Sequence, residues 1–217
     1  YFKDYDEKLI FEGMNEPRLK GTPMEWNGGN QEAREVINQL NAAFVETVRA
    51  SGGNNEKRHL MIPTYAASTM DSVLNDFVIP NDDKVIVSVH AYLPYTFALA
   101  DNALKFADTK DIDSLIANLK KRYIDNGQAV IIGEYGTRNR SFNTEPRAEC
   151  ARYYVSKATE AGIPCIWWDN NAFTGNGENF GLFNRTSFEW RFPEIVSAIM
   201  ESCGASGSTS NTSAESS

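Results

Sequence analysis

Residues 84–92 read KVIVSVHAY. Four β-branched residues and a serine follow one another without the in–out alternation of a half-exposed strand, so the run reads as a strand covered on both faces. Similar runs recur at Leu9–Met14, Leu60–Pro63, Ala129–Gly133 and Ile163–Trp168. Helical patterns lie between them over Gln31–Ser51, Ile112–Asn126 and Glu145–Ala161, with a short one near Met70–Phe77 and a last one over about Trp190–Met200. Their ends fit: Asp111 or Asp113 can cap one helix and Gly127 end it, while Thr144 caps the next, Pro146 sits in its first turn and Gly162 ends it. Strand alternating with helix predicts an α/β fold around a parallel sheet. An open doubly wound sheet and a closed eightfold barrel both satisfy the pattern. No GxGxxG follows a strand and no phosphate-binding loop is present, which weakens the nucleotide-binding version.

The 217 residues are 41% hydrophobic and 23% charged, enough for one sizeable core. A formal net charge of −8 argues against nucleic acid and anionic membrane as partners and suits a neutral or cationic ligand. No run is long and apolar enough for a membrane-spanning helix. Cys150, Cys165 and Cys203 match no zinc spacing, and neither metal nor cofactor is implied. Residues 204–217, GASGSTSNTSAESS, cannot bury surface and read as a flexible linker after a domain over residues 1–203. Such linkers often join secreted catalytic modules to binding modules, so an extracellular location and a carbohydrate-binding or docking module beyond the linker are expected.

The strand ends carry the chemistry. Asn15-Glu16, His90-Ala91-Tyr92, Glu134-Tyr135 and Trp167-Trp168-Asp169-Asn170 each close a run. In an eightfold barrel the C-terminal strand ends share one mouth, which brings Glu16 and Glu134 together although they are far apart in sequence. Two facing carboxylates with aromatic walls suit glycoside hydrolysis: one protonates the departing oxygen, and the other attacks the anomeric carbon or activates water. A lone strand-end glutamate is usually a cap or a solvated residue, so it is the pair that carries this reading. For His90 the default is a satisfied core histidine, and its His-x-Tyr setting argues otherwise. Trp26, on a Gly-containing loop, is either packed or an outer sugar platform. Asn171 either binds sugar or shapes its loop, and Trp190 is expected to pack.

Taken together, IFEGMNEPR, VSVHAYLPYTFAL, VIIGEYGTRN and GIPCIWWDNN resemble, in order and spacing, glycoside hydrolase family 5, most closely its bacterial and rumen-fungal endoglucanases. The resemblance runs from about Tyr1 to Ser202. It implies a partial TIM (β/α)8 barrel, strands four to eight, acting on cellulose-type β-glucan with retention of configuration. By it Glu16 is the acid/base and Glu134 the nucleophile. Asn15 contacts the sugar 2-hydroxyl, Tyr92 hydrogen-bonds the nucleophile and His90 lines the subsite near the acid. Trp168 is the sugar platform, with Trp167 as the alternative. The family's first three strands do not precede Tyr1, and residues 1–8 are expected to end the third helix. The second-strand arginine that supports the nucleophile and the third-strand histidines are absent with them. The chain alone is therefore expected to be weakly active or inactive, and two copies could associate through open barrel edges. Xyloglucan, mixed-linkage glucan or mannan as substrate, or a non-catalytic carbohydrate-binding fragment, are the alternatives.

Overall fold

A computed structural model of the chain describes residues 1–100 and 103–204; all of the expected linker except Gly204 lies outside the described residues. Five parallel strands, β1 (Phe11–Glu12), β2 (Leu60–Pro63), β3 (Val85–His90), β4 (Val130–Tyr135) and β5 (Cys165–Trp167), stand in chain order in one sheet. Helices α1 (Gln31–Ala50), α2 (Asp71–Asp76), α3 (Tyr95–Ala98), α4 (Lys110–Arg122), α5 (Thr144–Glu160) and α6 (Pro193–Ser202) fill the crossovers and the end of the described chain. A small antiparallel pair, β6 (Phe183–Asn184) and β7 (Glu189–Trp190), precedes α6. This is the expected half-barrel, with β1 and β5 as its two edges.

The two faces of the central strands explain the unbroken apolar runs. Val85, Val87, Val89, Val130 and Ile132 are at most 3% exposed and join one cluster or another with residues of α1, α4 and α5, among them Val45, Ile112, Leu119, Tyr154 and Ala158. Burying each such side chain is worth about 1.5–3 kcal/mol. The opposite face carries Ile86, Ser88, His90 and Ile131, and there Ser88 Oγ donates to Glu12 Oε1 at 2.9 Å. Register between β3 and β4 shifts after Val89, so that His90 pairs with Glu134 and Gly133 is skipped. A Cβ on Gly133 would stand 2.9 Å from Ser88 Oγ and 3.3 Å from His90 Nε2, so only glycine lets the strands close here.

Several local expectations are corrected. Residues 1–8 form turns, not a helix end, and Arg58, fully buried, holds them by donating to the carbonyls of Phe2, Tyr5, Asp6 and Leu9. The first strand shrinks to two residues because it pairs on one side only. Helix α4 starts before either predicted cap: Asp111 and Asp113 lie in its first turn, Asp113 accepting from the Thr109 hydroxyl at 3.1 Å. Thr144 is the first residue of α5, and the preceding Asn143 uses its amide to bond Arg138 and Arg140 main-chain atoms. Trp190 belongs to β7, half exposed and edge-to-face with Phe183 at 5.0 Å, and the last helix begins at Pro193.

Candidate active site

A cleft of about 660 Å³ opens at the C-terminal ends of the strands, lined by Asn15, Glu16, Trp26, His90, Tyr92, Glu134 and Trp168 among others. Glu134 lies inside β4, with hydrogen-bonded strands on both sides, and is 8% exposed. Its Oε2 accepts from the Tyr92 hydroxyl at 2.6 Å and lies 3.4 Å from His90 Nδ1. The same His90 Nδ1 is 2.8 Å from Glu16 Oε1, so one imidazole nitrogen stands between the two carboxylates. One oxygen of each glutamate and that nitrogen all lie within 4.8 Å of one another. Among the described residues this is also the one group of His, Cys and acidic side chains close enough to hold a cation.

Burial pushes the Glu134 carboxyl above its usual range; Tyr92 donation and the neighbouring His90 pull it down, and Glu16 and Glu12 push it further up. Burial and the Glu134 carboxylate hold the Tyr92 phenol far above its ordinary value, so it remains a donor.

Glu16 is placed differently, four residues past the short β1. Arg18 Nη1 donates to the Glu16 carbonyl at 2.9 Å and lies 3.8 Å from Glu16 Oε2. The same guanidinium bonds Glu25 at 3.0 Å and lies over the Trp26 ring at 4.0 Å. Tyr65, buried at the end of β2, accepts from the Leu19 amide at 3.0 Å and reaches the carbonyls of Met24 and Glu25 at 3.1 and 3.2 Å. These bonds hold the loop so that Trp26, 54% exposed, faces the cleft.

The structure thus brings Asn15, Glu16, Trp26, His90, Tyr92, Glu134 and Trp168 to one opening. Trp167 is elsewhere: its indole N–H donates to the Phe180 carbonyl at 2.8 Å and its ring meets Tyr135 edge-on at 5.4 Å, in the core beneath the cleft wall. Asn171 is also outside the lining, its side-chain oxygen accepting from the Arg185 amide at 3.1 Å within its own loop. Sequence reasoning missed Tyr95, Glu178, Arg18 and Tyr65. Tyr95 lies within VSVHAYLPYTFAL, where a second tyrosine three residues past Tyr92 is a readable signal. Glu178 lies in a Gly- and Asn-rich loop with no period, and no signal marked it.

A family model described as "Cellulase (glycosyl hydrolase family 5)" matches residues 1–174. Endoglucanase B of Neocallimastix patriciarum is 49% identical over 215 residues, covering 97% of this chain and 45% of that protein. Endoglucanase 1 of Ruminococcus albus is 54% identical over 198 residues, covering 90% and 48%. Among solved structures, a family 5 broad-specificity endoglucanase from Ruminococcus champanellensis with bound cellotriose superposes with a TM-score of 0.88 at 49% identity, over 92% of this chain and 59% of that one. A family 5 lichenase from a Caldicellulosiruptor species in complex with cellotetraose gives 0.89 at 45% identity, over 93% and 59%. The chain spans about half the length of the relatives it matches.

Proposed function

The chain belongs to glycosyl hydrolase family 5, the cellulase family, and from that premise we propose that it is the part of a retaining endo-β-1,4-glucanase that carries both catalytic carboxylates. The observation behind this reading is the Glu16–His90–Glu134 cluster, with carboxylate oxygens within 4.8 Å. Retaining glycosidases hold their carboxyl groups about 5–5.5 Å apart, whereas inverting ones leave about 6.5–9.5 Å for a water. In the first step Glu134 attacks the anomeric carbon while Glu16 gives its proton to the departing glycosidic oxygen. A glycosyl ester on Glu134 forms and the glycosidic bond breaks. In the second step Glu16, now ionised, takes a proton from water, whose oxygen displaces Glu134 and regenerates both side chains. Tyr92 donates to Glu134 and steadies the charge that returns to it. Trp26 and Trp168 offer ring faces to the apolar faces of a neutral glucan, in keeping with the cello-oligosaccharides in the two solved relatives.

The chain alone turns substrate over slowly, because it spans about half of its relatives and neither Arg nor Lys is among the described partners of Glu134, which are Tyr92 and the shared His90. The unpaired edges at β1 and β5 support association with further strands or a second copy. Hydrolysis of carboxymethyl-cellulose by the purified 217-residue chain tests the first statement; near-normal turnover would refute it. Azide rescue tests the roles. On an aryl β-cellobioside, Glu16→Ala plus azide should give the β-glycosyl azide and Glu134→Ala plus azide the α-azide. The reverse pattern would exchange the two assignments, and a carbohydrate-binding fragment would give neither product. The lichenase relative favours mixed-linkage glucan as a second substrate, and a substrate panel with product analysis separates the two.

A further inference from the structure

A second pocket, of about 500 Å³, opens between the segment after β4 and the segment after β5, at the same end of the sheet as the cleft. Its lining includes Ser141 and Phe142 from the first segment and Thr174, Asn176 and Asn179 from the second. The two segments are fastened to each other. The Asn139 amide N donates to the Asn179 carbonyl and its side chain to the Phe173 carbonyl, both at 2.7 Å. The Asn179 side chain donates in turn to the Gly175 carbonyl at 2.7 Å. Fully buried Asn143 braces the first segment, accepting from the Arg140 main-chain N at 2.9 Å and donating to the Arg138 carbonyl at 3.1 Å. On this frame Phe142 stands wholly exposed, with a φ of 66°. The left-handed region is rare for a bulky side chain, and strain of this kind collects at sites that hold ligands. Packing within the chain does not account for it, because the ring lies open to solvent.

The pocket adjoins the cleft. Asn176 lines the one and Glu178 the other, two residues apart on one segment. Arg138, at the pocket, donates to the carbonyls of Gly177 at 2.8 Å and of Leu99, a cleft residue, at 2.7 Å. The two openings differ in chemistry. The cleft carries three carboxylates, Glu16, Glu134 and Glu178, whereas the described lining of the pocket has none and offers amides, hydroxyls and one bare aromatic face. Amides and hydroxyls exchange hydrogen bonds with sugar hydroxyls, and an aromatic face covers the C–H face of a pyranose. With no carboxylate to protonate or attack a glycosidic bond, the pocket is fitted for holding sugar and not for cutting it. We propose that it is a second, non-catalytic binding site for β-glucan, with Phe142 as its platform, which grips polysaccharide outside the cleft and keeps the protein on the polymer. This rests on the glucan reading above, which supplies the ligand.

The test uses the 217-residue chain carrying Glu134→Gln, so that no ligand is cut. Native electrophoresis through gels containing hydroxyethyl-cellulose measures affinity for the polymer. Cellotriose titrated against tryptophan fluorescence reports on the cleft, since Trp26 and Trp168 line it and no Trp is among the described residues of the pocket. Adding Phe142→Ala should weaken retention by the polymer about fivefold, ~1 kcal/mol, and leave cellotriose affinity within about twofold. Asn176→Ala should act in the same direction, and Phe142→Trp should keep retention because an aromatic face remains. Unchanged retention in Phe142→Ala overturns the site. So does an equal loss for cellotriose, which would place the effect of the ring in the cleft. If the chain with Phe142 intact binds cellotriose but is not retained by the polymer, the second site falls and the glucan reading stands. If it binds neither, the glucan reading falls and the site with it.

Discussion

The two carboxylates at the centre of the cleft are held by different means. Glu134 is part of β4, flanked by β3 and β5, and its position follows from the sheet register that sets it opposite His90. Glu16 lies beyond an edge strand of two residues and is held by side chains: His90 at 2.8 Å, and Arg18 at its main chain. One is placed by backbone pairing, the other by a local network anchored through Arg18, Glu25 and Tyr65. Among the described residues, His90 is the one group bonded or paired to both. A centre built this way has one rigid half and one half that a few side-chain changes can loosen.

The largest effect should come from removing either carboxylate. Glu16→Gln should lower hydrolysis of an unactivated glucan by about 10²–10⁴, the usual share of general acid–base catalysis, and much less with a good leaving group. Glu134→Gln should lower it for every leaving group. Equal behaviour of the two variants across leaving groups would erase the distinction.

Next in size is the stability contrast between sheet centre and edge. Ile132→Ala, at a fully buried position in β4, should cost about 2–5 kcal/mol. Ile10→Ala, 41% exposed beside β1, should cost about 0.5 kcal/mol. Urea unfolding measures both, and similar midpoints would mean that β1 is held as firmly as the centre.

A pH experiment isolates the burial of Glu134. Its folded-state value lies above the unfolded one, so the folded chain binds the extra proton between the two values. Stability from this group is full below the unfolded value and is lost as pH rises through the folded one. Glu134→Gln should therefore melt higher than the parent at pH 7, and the gap should close as pH falls below the ordinary carboxylate value of 4.5. A gap that is constant with pH would show that burial does not strain this carboxyl.

The smallest effect is expected at Arg18. Arg18→Met should cost little stability, since an ion pair of this kind near solvent is screened. It should free the Trp26 loop and weaken cello-oligosaccharide binding several-fold while leaving Glu134 in place. An unchanged affinity would mean that the loop holds Trp26 without the guanidinium.

Much of this could be read from the residues. The strands β2 and β3 appear where KVIVSVHAY and its counterpart at residues 60–63 put them, because their runs are apolar on successive residues and only Ser88 interrupts them before the strand end. Six site residues read from strand-end motifs, and Trp26 read from its loop, lie on the cleft. Trp168 was named the platform only through the family resemblance, with Trp167 as the alternative, because composition does not say which of two adjacent residues turns to the core. Arg18 and Tyr65, two of the residues that were missed, act through main-chain carbonyls, and a carbonyl leaves no mark in a sequence.

By itself the sequence determined the parallel α/β architecture and the identity of the groups at the strand ends, since these follow from local period and side-chain chemistry. Only the tertiary structure decided that one imidazole stands between the two carboxylates, that burial raises the Glu134 carboxyl, and that Trp168 and not Trp167 faces the cleft. Each of these depends on distances between segments far apart in the chain. Such distances are fixed by sheet register and core packing, and no local stretch of residues encodes them.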